Sequence, residues 1–170
     1  MDVETLRALQ APLKARYREE PASALVPARA EATLDMTDVA CAVSGWQGST
    51  SAGLHQAAGG SGALACSADM LLEALVACAG VTLRAVAMAM GLSLRGGRVI
   101  AEGVWDARGT LGVDKTAPVG MTEIALRFEL DTDADAAKLE RLVATTERYC
   151  VIFQTLRTPP KLSATLVAPG

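Results

Sequence analysis

The chain has 170 residues, of which 51% are hydrophobic but only 4% aromatic, and its formal net charge is −3. This length is most simply that of one domain, whose core must be built mainly from Ala, Leu, Val and Met. The slightly acidic balance, without any basic run, argues against a nucleic-acid partner or an anionic membrane surface.

The N-terminal residues 1–21 are expected to form a helical extension ahead of a core at residues 22–170. An amphipathic helix is predicted over 3–19 and would end at Pro21. Its apolar residues recur at three- and four-residue spacing: Leu6, Leu9, Leu13 and Tyr17. The segment has no apolar signal core, so the cytoplasm is the expected compartment.

Two strands are predicted next, in ARAEATLDM (28–36) and VACAVSGW (39–46), because apolar and polar residues roughly alternate there. The following segment, QGSTSAGLHQAAGGSGALACS (47–67), is predicted to be a long loop that holds the only histidine, His55. Loops of this length in compact domains are uncommon and often functional.

A long apolar helix is predicted from Ala68 to about Met90, with capping residues Ser67 and Asp69 and an end at Gly91. A helix that is apolar all round is buried on all sides. In a chain of this size such burial is easiest if a second subunit covers one side, which indicates an oligomer.

Glu73 and Arg84 are the charges within the apolar part of this helix, and they favour a buried helix of a soluble protein over a membrane span. They are about 16 Å apart along the axis and cannot pair within one helix. If two copies cross antiparallel about a two-fold axis, Glu73 of one would meet Arg84 of the other.

The C-terminal half is predicted to contain strands in 92–109 and 122–131, a tight hairpin over 105–115, a helix in 134–150 and a last strand in 161–167. Strands, a buried helix, strands, a helix and a strand form an α+β pattern.

The four cysteines are too few and too scattered for a secreted disulfide scaffold. Without CxxC or paired-His spacing, no metal site is expected. Cys78 lies inside the long helix, one turn before Thr82, and Cys150 ends the last predicted helix. From the residues alone, two interpretations stay open. They are core cysteines, or they form a site in which one thiolate attacks and a second thiol traps the sulfenic acid.

The segments SADMLLEALVACAGVTLRAVA and RYCVIFQTL, which contain Cys78 and Cys150, resemble the two signature segments of the OsmC/Ohr family. That family has a helix reading roughly S-P-x-E-L-L-L-A-A-L-A-A-C and a later C-P-V motif. The resemblance covers about residues 55–167. It implies an α+β fold in which antiparallel sheets wrap around long central helices in an intertwined homodimer.

The resemblance also implies an activity, namely thiol-dependent reduction of organic hydroperoxides and, less well, of hydrogen peroxide, without a metal or organic cofactor. Cys78 would attack the peroxide and become a sulfenic acid, and Cys150 would condense with it to a disulfide. A dithiol, such as a lipoylated protein, would then reduce that disulfide.

The peroxidases of this family hold the thiolate with an Arg, which a Glu about ten residues before the first cysteine positions. Here the tenth residue back is Ala68, and Val151 replaces the Pro of the second motif. The candidates for a supporting role are His55, Asp69, Glu73, Arg29 and Arg148. A histidine can supply a cation or a base near neutral pH, and an arginine next to a cysteine favours its thiolate.

Three hypotheses follow. The first is a cytoplasmic, homodimeric OsmC-like thiol peroxidase, with Cys78 peroxidatic and Cys150 resolving. The second is a family member without efficient peroxidase activity that binds a small apolar ligand or serves as a redox-responsive module. The third, a structural protein with two inert core cysteines, requires sulfurs that cannot approach disulfide range.

Overall fold

The computed structural model of the protein describes residues 1–45 and 48–167. Trp46, in the second predicted strand, and Gln47, in the predicted loop, lie outside the described residues. The α-helices of the described part are α1 (Val3–Glu19), α2 (Ser67–Ala89), α3 (Ala107–Thr110), α4 (Ala136–Tyr149) and α5 (Val151–Arg157). Its strands are β1 (Glu31–Leu34), β2 (Ala40–Gly45), β3 (Gly48–Gly53), β4 (Ala65–Cys66), β5 (Gly96–Trp105) and β6 (Met121–Asp131).

The chain divides into two compact units. The first unit comprises the described residues of Met1–Glu73 together with Ala101–Arg127. The second unit comprises residues 74–100 and the described residues from 128 onward. Helix α2 and strands β5 and β6 contribute residues to both units, and the single domain over 1–170 stays a prediction.

A four-stranded sheet in the order β1-β2-β3-β4 forms the centre of the first unit. Strands β1, β2 and β3 pair antiparallel, but β4 pairs parallel with β3. The prediction of a continuous loop over 47–67 is therefore wrong, since β3 and β4 lie within it. Gly, Ser and Ala carry little β-propensity of their own, and pairing with β2 determines the strand conformation of β3 instead.

Helix α1 covers the predicted residues 3–19. Asp2 caps it, because its carboxylate accepts a hydrogen bond from the Thr5 N–H at 2.8 Å. No residue of α1 is buried, and Leu9 and Leu13 of its apolar face are exposed. The amphipathic pattern therefore predicted the helix, while its apolar face stays open in the described chain.

Strands β5 and β6 run in opposite directions. The Arg95 N–H donates to the Asp131 carbonyl at 2.9 Å, and the Thr122 hydroxyl donates to the Val104 carbonyl at 3.1 Å. The prediction of a tight hairpin over 105–115 is wrong, because residues 106–120 connect the strands and contain α3. The Asp106 carboxylate, which accepts the Arg108 N–H at 2.9 Å, caps that helical turn.

One face of α2 forms the core of the second unit. Four of its residues are buried at intervals of four: Leu75, Ala79, Leu83 and Ala87. Leu83 and Ala87 pack with Leu142 of α4. Val81, on another side of α2, is 74% exposed, so the single chain leaves one side of this helix open, and its burial by a second subunit stays a prediction. Among the described residues, α2 has the length and composition of a membrane span, as core helices of soluble proteins also can.

Gly91 ends α2 as predicted. Its φ of +67° lies in the left-handed region, which glycine adopts without strain. The Leu92 N–H donates to the Ala87 carbonyl at 2.9 Å, and the Gly91 N–H donates to the Met88 carbonyl at 3.2 Å. These two bonds form a Schellman motif and satisfy the carbonyl groups at the end of the helix.

The C-terminal part departs from prediction after α4. Asp135 caps α4 by accepting the Lys138 N–H at 2.9 Å, and the chain then enters a second helix, α5, that was not predicted. The predicted strand over 161–167 is wrong. A strand is stabilised by pairing, and no described residue pairs with this segment, whose Leu162 and Leu166 are exposed.

Candidate thiol site

Helix α2 holds Cys78 beside its buried face. Cys78 follows the exposed Ala77 and precedes the buried Ala79, and its own side chain is half-buried. Thr82 lies one turn further along the same side of the helix, and its hydroxyl lowers the pKa of the Cys78 thiol. Cys78 is thus partly accessible to solvent and has a polar side chain one helical turn away.

Cys150 lies at the junction of α4 and α5 and caps both helices. Its N–H donates to the Thr146 carbonyl at 2.9 Å, and its Sγ accepts from the Phe153 N–H at 3.5 Å. Its backbone is extended, with φ −74° and ψ 109°, which separates the two helices. The residue is 0% exposed, so a solute reaches Cys78 more easily than Cys150.

The second unit brings the two cysteines together, although 72 positions separate them in the sequence (150 − 78). Each of the two side chains shifts the pKa of the other, and all four cysteines of the chain are free thiols. From the first turn of α5, the N–H groups of Ile152 and Val151 also lower the pKa of Cys78.

These groups lower the pKa of Cys78. Burial raises the pKa of its thiol, but the Ile152 N–H, the Cys150 thiol, the Val151 N–H and the Thr82 hydroxyl together lower it by more. The net pKa of Cys78 therefore lies below that of an ordinary thiol, because each donor favours the anion.

The pKa of Cys150 shifts in the opposite direction. Burial is the largest influence and raises its pKa. The Phe153 N–H lowers this pKa, whereas the side chain and the charge of Cys78 raise it further. Of the two thiols, Cys78 is therefore the one that ionises first, because its pKa is lowered and that of Cys150 is raised.

The predicted supporting residues are divided between the two units, and their roles stay a prediction. The first unit contains His55, Asp69, Glu73 and Arg29, and the second contains Arg148. Arg29 pairs with Glu31 at 2.5 Å, and the Arg148 guanidinium carbon lies 5.5 Å from the centre of the Tyr149 ring. Among the described residues, no hydrogen bond or ion pair joins any of these five to Cys78 or Cys150.

Sequence reasoning missed the backbone donors of Val151 and Ile152, because a backbone N–H has no side-chain signature. One signal for α5 was present. Ile152, Phe153 and Leu156 follow Cys150 at helical spacing and would have predicted a helix that begins there.

No group of three or more His, Cys, Asp or Glu side chains in the described part of the chain is arranged to hold a metal ion. The fold and the site together define an α+β protein with two adjacent thiols at the side of a long apolar helix.

The family model for OsmC-like protein matches residues 60–165, which is more than half of the chain, and the protein belongs to this family. The family expected from the two cysteine segments is therefore confirmed. No curated protein matches the chain.

Solved structures give the same fold. An OsmC-like protein from Mycoplasma pneumoniae aligns with a TM-score of 0.64 and 16% identity, covering 79% of this chain and 89% of that one. An organic hydroperoxide resistance protein OsmC from Legionella pneumophila gives 0.63 and 21%, covering 79% and 92%. An organic hydroperoxide resistance protein from Elizabethkingia anophelis gives 0.64 and 15%, covering 79% and 91%. The predicted α+β, OsmC-like fold is confirmed.

Proposed function

We propose that this protein reduces organic hydroperoxides, with Cys78 as the attacking thiolate and Cys150 as the resolving thiol. The observation that supports this most directly is the interacting pair of cysteines, in which the more accessible sulfur has the lowered pKa. Two structural neighbours are named organic hydroperoxide resistance proteins, which supports this class of substrate.

In the first step the Cys78 thiolate attacks the hydroxyl oxygen of the hydroperoxide R–O–O–H. A sulfur–oxygen bond forms, the oxygen–oxygen bond breaks, and its electron pair leaves with the alkoxide RO⁻. The Cys150 thiol, which already donates a hydrogen bond to Cys78, gives the alkoxide its proton and so releases the alcohol. Cys78 is then a sulfenic acid and Cys150 a thiolate.

In the second step the Cys150 thiolate attacks the sulfenic sulfur of Cys78. A disulfide forms, and hydroxide leaves and takes up the proton that Cys78 lost on ionising, giving water. The two steps are ordered, because oxidation removes the negative charge that raises the pKa of Cys150. Cys150 therefore becomes a better nucleophile only after Cys78 has reacted.

The reduced enzyme returns by thiol–disulfide exchange with a dithiol, for which a lipoylated protein in the cytoplasm is our candidate. A thiolate of the reductant attacks one sulfur of the Cys78–Cys150 disulfide, and its second thiol closes the reductant's own disulfide. The cycle needs no metal or organic cofactor.

Rapid mixing of the reduced protein with cumene hydroperoxide or hydrogen peroxide tests this proposal. We expect fast loss of two thiols per chain and a faster reaction with the organic peroxide. In Cys150→Ser, Cys78 is expected to react and then accumulate as sulfenic or sulfinic acid, which mass spectrometry detects. Loss of a single thiol by the wild-type protein would contradict the role of Cys150.

We further propose that the protein acts as a homodimer that covers the open sides of α2. Val81 of this helix is 74% exposed, and the charges Glu73 and Arg84 also face outward. Two antiparallel copies would bury Val81 and let Glu73 of one copy pair with Arg84 of the other.

Sedimentation of Val81→Glu tests the dimer, with Val113→Glu as the matched control, since Val113 is also 74% exposed but lies in the β5–β6 connection. A carboxylate buried without a partner costs about 3–5 kcal/mol, so Val81→Glu should weaken the dimer at least about a hundredfold. A monomeric wild-type protein, or equal effects of the two substitutions, would contradict the proposed interface.

In a second candidate function, the protein has the same fold and thiol pair but does not reduce peroxides efficiently. It would then be a ligand-binding or redox-responsive protein. This function is favoured by one observation, namely that no Lys, Arg or His side chain among the described residues is a cause of the lowered pKa of Cys78. In the rapid-mixing experiment, oxidation no faster than that of a free thiol in solution would select this second function.

A further inference from the structure

The first unit holds a cavity of about 380 Å³ that the thiol chemistry does not use. Small-molecule sites have volumes of roughly 300–1,000 Å³, so the space suits a small organic molecule. Its walls include the apolar side chains of Leu54, Leu71, Val119 and Met121 and the rings of His55 and Trp105.

Among the described residues that line this cavity, none is Asp, Glu, Lys or Arg. A charged molecule would therefore lose its hydration here without gaining an ionic partner, which is costly. The chemistry of the walls selects a neutral molecule with a mostly apolar body.

Two ring N–H groups add polar specificity. His55 Nδ1 accepts a hydrogen bond from the Ala57 N–H at 3.0 Å, which leaves the proton of the neutral imidazole on Nε2. The ring lies edge-on to Trp105, with centroids 5.4 Å apart and an interplanar angle of 86°. Among the described residues, neither His55 Nε2 nor Trp105 Nε1 has a hydrogen-bond acceptor, so both are available to a ligand oxygen.

We propose that this cavity is a binding site for a neutral organic molecule with an apolar body and one acceptor oxygen, of the alcohol or ketone class. The apolar walls hold the body of the molecule, and the N–H groups of His55 and Trp105 orient its oxygen. Neither Cys78 nor Cys150 is among the described residues that line the cavity, and its ligand undergoes no reaction there.

The probe for the test is 2-phenyl-2-propanol, which is neutral, compact and not an oxidant. In a Trp46→Phe background of the full chain, Trp105 is the remaining tryptophan, and its emission reports binding. We expect a saturable change in emission, with unchanged affinity in Cys78→Ser because that sulfur is not part of the cavity.

Gly120→Leu provides the blocking variant, because Gly120 lines the cavity and a Cβ there meets no heavy atom within 4 Å. It should weaken binding at least about tenfold. Gly96→Leu is the matched control, since its Cβ also meets nothing within 4 Å but lies in a separate groove of the second unit. Equal weakening by both, weakening by Gly96→Leu alone, or no saturable signal would overturn the proposal.

His55→Leu tests the polar part without filling the cavity. The variant should lose the preference for 2-phenyl-2-propanol over isopropylbenzene, which has the same body but no oxygen, by about fivefold or more. An unchanged preference, with circular dichroism showing a folded protein, would overturn the assignment of His55 as a donor to the ligand.

Discussion

The cysteines of the two units differ in what surrounds their sulfurs. Cys41 lies in β2 and Cys66 in β4 of the four-stranded sheet, where the backbone pairs with neighbouring strands. In the second unit, Cys78 lies where the side of one helix meets the beginning of another, and two backbone N–H groups there lower the pKa of its thiol. Among the described residues, no such donor reaches Cys41 or Cys66.

Burial does not account for this difference, since Cys41, Cys66 and Cys78 are all half-buried. A sheet uses its N–H groups in the ladder, whereas the first N–H groups of a helix have no partner within that helix. A sulfur near such N–H groups gains donors that stabilise its anion. Reactivity toward peroxide should therefore follow hydrogen-bond donors and not exposure.

The largest expected effect separates the two sets of cysteines directly. Cys78→Ser should lose about a thousandfold or more in the rate of peroxide consumption, as removal of a nucleophile does in other enzymes. Cys41→Ser and Cys66→Ser should react like the wild-type protein. Stopped-flow measurement with cumene hydroperoxide compares the three variants. A comparable loss in Cys66→Ser would show that the donors around Cys78 do not determine which thiol reacts.

The next largest effect is expected when one donor near Cys78, the Val151 N–H, is removed. Val151→Pro removes a backbone N–H, and proline suits the first position of a helix after the extended Cys150. The pKa of Cys78 should rise, and its alkylation by iodoacetamide near neutral pH should slow about tenfold, because a hydrogen bond to a charged group is lost. Alkylation across a pH series measures both.

Val151→Ala is the control for that experiment, because it shortens an exposed side chain and keeps the N–H. It should titrate like the wild-type protein. The second motif of the family has Pro at this position, so Val151 adds a donor that the motif itself lacks. Identical titrations of the Pro and Ala variants would dismiss that contribution.

Much of the fold was predictable where local pattern and structure agree. Helix α1, helix α2 with its glycine end, and the alternation of β6 follow from periodicity and capping residues that act within a few positions. Strand β3 was not predictable in this way, because its small residues give no pattern and its conformation depends on pairing with β2. Residues 161–167 show the reverse case, an alternating pattern without a strand to pair with.

The same distinction between local pattern and tertiary packing applies to the candidate site. Cys78 and Cys150 were found through the resemblance of their segments to a family, and Thr82 through helical spacing. The supporting residues were sought among charged side chains, whereas the donors in the structure are mainly N–H groups of α5. Their position depends on how the junction at Cys150 faces α2, which is a property of tertiary packing.

A smaller effect is expected for the side-chain donor. Thr82→Val keeps the shape of the side chain but removes the hydroxyl that lowers the pKa of Cys78. Alkylation near neutral pH should slow about threefold, in line with one weaker hydrogen bond. Thr145→Val is the control, since the Thr145 hydroxyl donates to the Arg141 carbonyl at 2.6 Å within α4. Equal rates in the two variants would remove Thr82 from the donors.

The smallest expected effect concerns the stability of the reduced protein. The pKa of Cys78 is lower in the folded than in the unfolded chain, so the unfolded chain binds more protons between the two pKa values. The contribution of Cys78 to the free energy of unfolding is therefore complete above the ordinary thiol pKa and is lost as pH falls through the folded pKa. Cys150 has the opposite sign, since its raised pKa gives a contribution that is lost at higher pH.

Urea unfolding under reducing conditions, across a pH series that approaches the ordinary thiol pKa from below, measures this linkage. The difference in unfolding free energy between the wild-type protein and Cys78→Ser should grow as pH rises through that window, because only the wild-type protein gains from ionising Cys78 in the folded state. The same difference for Cys66→Ser should stay flat. Parallel pH profiles for the wild-type protein and Cys78→Ser would mean that the donors do not favour the thiolate. The cysteines of the two units would then differ only in their position in the fold.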